Sequence, residues 1–143
     1  MKQTLLSFFA IAILALTSCD KKDDDTPPPS PPDVTPTQIN LVGTYKPVKV
    51  VSMQNADITS EWLQNCEKDN LFKLNADLSY VVVDGGVQCA TSRFTSGEWS
   101  LTNSTTIVLD DEVGTIKRFN GINLDITSFY TGTQMVTIQF VKQ

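Results

Sequence analysis

The sequence predicts an all-β domain, a small eight-stranded antiparallel up-and-down barrel. Three observations point there. From Gly43 onward short apolar runs are separated by turn residues, the pattern of a strand meander. The last runs alternate strictly, with Ile122, Leu124 and Ile126 on one face and Asn123, Asp125 and Thr127 on the other. The same stretch is rich in Val, Ile, Thr, Phe and Tyr, which suit a pleated, half-buried surface.

The eight expected strands follow in order. The first spans 44–53, and a hydrophilic excursion with a helical turn expected at Ser60-Glu61-Trp62-Leu63 follows it. The second (71–74) and third (79–84) are joined by Asn75-Ala76-Asp77. The fourth (95–101) turns at Asn103-Ser104 into the fifth (105–110), and Asp111-Glu112-Val113-Gly114 leads to the sixth (115–119). Asn120-Gly121 is the strongest hairpin signal, because a two-residue type I′ turn needs positive φ at both positions. It opens the seventh strand (122–128), and Thr131-Gly132 leads to the eighth (133–142). An open eight-stranded sheet would leave two unpaired edges, and closure into a barrel removes them. The expected inward set is Tyr45, Val48, Val50, Phe72, Leu74, Tyr80, Val82, Trp99, Leu101, Ile107, Leu109, Ile116, Ile122, Leu124, Ile126, Val136, Ile138 and Phe140.

The front of the chain reads differently. Residues 1–18 have the parts of a secretory signal: basic Lys2, an apolar run from Leu5 to Leu16, then small Thr17 and Ser18. That run is shorter than the ~20 residues a membrane span needs. Leu16-Thr17-Ser18-Cys19 resembles the bacterial lipobox, which implies cleavage before Cys19 and acylation of its sulfur and amine, the palmitate-type modification of lipoproteins. More than one acyl chain makes attachment stable. Residues 19–40 read as the lipidated cysteine and a tether, since Lys21-Lys22-Asp23-Asp24-Asp25 and the proline-rich stretch from Pro27 to Pro36 cannot bury enough apolar area to order themselves. The charged run resembles the acidic export tag of some outer-membrane lipoproteins, which implies a lipid-anchored protein displayed on the outer membrane. The folding domain is then 41–143.

Composition excludes several functions. Of the 11 Lys and Arg only Lys2 precedes Cys19, and all 16 acids follow it, so the exported part holds ten bases against sixteen acids, a net charge of −6. That balance argues against nucleic acid, whose phosphates call for basic patches. The chain has no histidine, the commonest general base, partner of nucleophiles and transition-metal ligand. No catalytic residue, metal site or cofactor is expected, and the protein is expected to be a monomer and not an enzyme. Asp110-Asp111-Glu112 lacks the spacing of a calcium loop and reads as a solvated turn. Of the three cysteines, Cys19 is taken by lipid, leaving Cys66 and Cys89 to bond in an oxidising compartment.

Gly43-Thr44-Tyr45, Cys66-Glu67-Lys68-Asp69, Phe72-Lys73-Leu74-Asn75-Ala76-Asp77, Cys89 and Gly97-Glu98-Trp99-Ser100-Leu101 together resemble the lipocalin-like domain family of bacterial lipoproteins. The resemblance spans residues 41–142, with Tyr45 where the family often has Trp and Leu78 where a hairpin Gly is common. It implies a barrel that holds a small apolar or amphipathic molecule, with Tyr45, Trp99 and Phe140 as candidate pocket residues. The competing reading is a filled barrel working through its surface toward a protein or glycan, with an exposed patch around Trp62, Phe94 or Phe129-Tyr130. A ligand-holding barrel predicts a cavity of a few hundred Å³ open at one end, in the ordinary range of small-molecule sites.

Overall fold

The computed structural model describes residues 29–89, 96–130 and 134–143. The signal, Cys19 and the rest of the expected tether up to residue 28, Phe94, the Thr131-Gly132 turn and the side chains of Phe129 and Tyr130 lie outside the described residues.

Eight antiparallel strands follow one another around a closed barrel: β1 Gly43–Ser52, β2 Leu71–Leu74, β3 Ser79–Val83, β4 Ser96–Asn103, β5 Thr106–Leu109, β6 Glu112–Phe119, β7 Asn123–Tyr130 and β8 Gln134–Lys142. β8 closes on β1 through the register Tyr45↔Lys142 to Ser52↔Val136. The expected eight-stranded barrel is therefore the observed one, closed by the pairing of its first and last strands.

Two ends follow from the up-and-down order. One carries the β2–β3, β4–β5 and β6–β7 turns and the start of β1. The other carries the long β1–β2 connection, with α2 (Thr59–Trp62), and the β3–β4 connection. The first end is closed by α1 (Gln38–Leu41), whose N-cap Thr37 accepts from the Asn40 N–H while the Asn40 side chain accepts from the Thr37 N–H, a reciprocal cap. Leu41 is fully buried in the main core. Its carbonyl accepts from the Tyr45 hydroxyl at 2.8 Å, and Lys142 Nζ donates to the Asn40 carbonyl at 3.1 Å. Farther back, the Val34 N–H donates to the Phe119 carbonyl. Residues 31–40, assigned above to the tether, thus include a strap bonded to the barrel, and the apolar Leu41 is what anchors it.

Local chemistry explains where the expected inward set fails. Pro47 pairs with Phe140 and Lys49 with Gln139, leaving Val48 as the extra residue of a β-bulge. The bulge puts Tyr45, Pro47 and Val50 inside and Val48 outside, at 49% exposure. A second bulge between Ile116 and Arg118 lets both Ile116 and Phe119 face the core. Ile122 is not in a strand: Phe119 pairs with Leu124, Gly121 takes φ +86°, and Ile122 sits in the turn at 50% exposure. The hairpin turn is therefore Gly121-Ile122 rather than Asn120-Gly121, with glycine at the first central position, as in type II′.

The turn expected at 111–114 is likewise shorter. Leu109 pairs with Glu112, so Asp110-Asp111 makes the connection, with Asp110 at φ +52°. Aspartate tolerates that conformation, and its carboxylate is fixed by the Tyr80 hydroxyl and the Glu98 N–H, both at 2.8 Å. These hydrogen bonds hold the Asp110 carboxyl below its ordinary range.

Candidate functional site

The barrel interior contains an apolar cavity of about 110 Å³. Strand alternation makes it apolar. Leu124, Ile126, Ile138 and Phe140 face inward from the paired β7 and β8, while Phe72, Leu74 and Tyr80 do so from β2 and β3. Phe72 and Phe140 meet edge to face, with ring centroids 5.4 Å apart. Tyr45 borders the cavity toward the closed end, and Glu112 and Ser128 toward the other. Gly114 contributes space, since a Cβ there would lie 2.7 Å from Ile126 Cγ2. A glycine expected in a turn is thus a strand residue that leaves room inside the barrel.

Over the end opposite α1, the β1–β2 connection folds back on β1. The Ile58 N–H donates to the Val50 carbonyl at 3.0 Å, and the Val50 N–H donates to Thr59 Oγ1 at 2.9 Å. This brings Trp62 and Leu63 into a second core cluster with Val50 and Val136. Trp62, expected on an exposed patch, is instead buried and lines the cavity. The Cys66–Cys89 disulfide forms as expected, with Cα atoms 5.3 Å apart, and ties this connection to the one after β3. Asp69 adds to the tie by accepting the Val87 N–H at 3.2 Å.

Of the three candidate pocket residues, Tyr45 and Phe140 line the cavity and Trp99 does not. Trp99 packs in the core, and its indole N–H reaches the Asn75 carbonyl at 3.0 Å in the β2–β3 turn. Arg118 faces away from the cavity, 3.3 Å from Asp125. Asp125 is nearly buried, and desolvation, against the pull of Arg118, raises its carboxyl above the ordinary value.

The cavity is smaller than the few hundred Å³ expected of a ligand-holding barrel, yet the barrel is not filled. Roughly 150 Å³ of apolar space takes up benzene, so a ring-sized guest requires this 110 Å³ cavity to widen slightly. Comparison with known families matches residues 41–136 to the lipocalin-like domain. The chain belongs to that family. No curated protein sequence matches the chain. As a lipocalin-like barrel, it has the architecture expected of a small-ligand binder in general, and its size preference has to be read from its own walls. Among the described residues no group of His, Cys, Asp and Glu could hold a metal, and no helix is long and apolar enough to cross a membrane.

Proposed function

We propose that this chain is an outer-membrane lipoprotein, anchored through Cys19, whose lipocalin-like barrel binds a small apolar or amphipathic molecule. The observation that carries the reading is the 110 Å³ apolar space between Tyr45, Phe72, Leu124, Ile126, Ile138 and Phe140. Tightly packed barrels of this strand number can fill completely with their own side chains, and this one keeps an interior gap bordered by a glycine. The lipobox-like Leu16-Thr17-Ser18-Cys19 and the acidic run behind it support anchoring and surface display. The reading assigns the chain a binding role and no catalysis.

The test is native mass spectrometry of the chain from Asp20 onward, exported through the periplasm and purified without detergent. A co-purifying small apolar species, released on unfolding and reduced in Val136→Phe, is the expected result. The variant places a ring where Val136 now lines the cavity. An apo mass that no short apolar molecule shifts would overturn the proposal. Anchoring is tested separately: the intact chain should partition into membranes, and Cys19→Ser should release it.

A further inference from the structure

A second, much smaller space of about 10 Å³ shares wall residues with the main cavity. Trp62, Phe72, Ile138 and Phe140 line both. The remaining walls differ in chemistry, because Glu67 and Asn70 line only the small one. Both are almost fully buried, Glu67 at 3% and Asn70 at 6% exposure. The chain between the disulfide and β2 places them there through consecutive turns. The Glu67 N–H donates to the Gln64 carbonyl at 2.9 Å, the Asn70 N–H donates to the Glu67 carbonyl at 3.3 Å, and the Glu67 carboxylate accepts the Gln64 N–H at 2.8 Å.

Asn70 Oδ1 is buried and has no hydrogen-bond partner among the described residues. A buried amide oxygen left without a donor costs the full desolvation of that group, and such groups in native structures call for a specific explanation. Here the oxygen belongs to a side chain that lines a polar annex of an apolar cavity. An annex of 10 Å³ has room for about one heavy atom.

We infer that the ligand is amphipathic in a particular sense: a short apolar body about the size of a benzene ring, carrying one hydrogen-bond donor, an alcohol or an amine, that reaches the annex and donates to Asn70 Oδ1. Asn70 is then the residue that sets specificity, and Glu67 keeps the annex polar and favours a donor over an acceptor. This rests on the proposed binding role of the main cavity and adds the head-group chemistry.

Titration calorimetry of the chain from Asp20 onward with four ring probes tests it: toluene, benzonitrile, benzyl alcohol and benzylammonium. The expected order is benzyl alcohol and benzylammonium about tenfold tighter than toluene, the upper range for one buried hydrogen bond, with acceptor-only benzonitrile no better than toluene. Asn70→Leu should keep toluene binding and erase the preference. If that variant does not fold, the order on the unaltered chain decides alone. Four equal affinities, or benzonitrile ahead, would overturn the head-group inference and leave the apolar pocket standing. No binding by any probe would overturn both.

Discussion

Tyr45 couples the closed end of the barrel to pH in a way that a single substitution can expose. Its ring is 1% exposed, its hydroxyl donates to the Leu41 carbonyl at 2.8 Å, and Lys142 Nζ lies 5.5 Å from the ring centroid. Tyr45→Phe keeps the ring and removes the donor, which at neutral pH should cost about 1 to 2 kcal/mol as a buried carbonyl loses its partner. Burial pushes the Tyr45 hydroxyl up to about 12. A raised value means that the native state favours the protonated form. The corresponding stability is fully present below the unfolded value near 10 and is lost as pH climbs toward 12. At pH 11 the loss is about 1.4 kcal/mol, one unit's worth. Tyr45→Phe has no such loss, so its deficit should shrink from about 1 to 2 kcal/mol at pH 7 to nearly nothing at pH 11. Urea unfolding followed by tryptophan fluorescence from pH 7 to 11 measures it. Tyr80, also raised to about 12, titrates in both proteins and cancels. Stability curves that stay parallel across this range would refute the reasoning.

Other consequences can be checked in the same way. Leu78 occupies φ +69° in the β2–β3 turn, so Leu78→Gly should be more stable than Leu78→Ala by about 1 kcal/mol, because alanine keeps the left-handed strain and glycine does not; the reverse order in urea melts would contradict this. Replacing Cys66 and Cys89 together by alanine releases a cross-link spanning 23 positions and should cost about 3 kcal/mol in the chain-entropy model, read from denaturation midpoints. Asp125 has a raised carboxyl, so its native form favours the proton and its contribution falls as pH rises above the unfolded value near 4. Asp125→Asn should therefore compare more favourably with the parent at pH 7 than at pH 3, and a difference that does not depend on pH would refute the assignment.

Most of the fold was legible because strand alternation writes the core into the sequence directly. All eight strands were expected, and the disulfide follows from reading the domain as exported and Cys19 as lipidated, which leaves two cysteines to pair. What sequence reasoning missed lies at breaks in the alternation. Pro47 inside a strand is the one local mark of the bulge at Val48, while nothing local marks Lys117, yet those bulges put Pro47 and Phe119 inside. Leu41 was counted at the domain's edge because proline-rich sequence precedes it, although an apolar residue before the first strand is a signal that something folds over the barrel end. The site was half legible. Tyr45 and Phe140 sit at strand positions whose inward direction alternation gives. Trp62, Glu67 and Asn70 come from an irregular connection where no period applies, and the only hint of their place was their nearness to Cys66.

The central claim is that the barrel holds an apolar space able to take a guest, and xenon tests it most directly. Crystals of the chain pressurised with xenon should show one interior site among Phe72, Leu124, Ile126, Ile138 and Phe140, because dry apolar cavities of this kind take up xenon. An interior closed by side-chain repacking, with xenon only on the surface, would contradict the account.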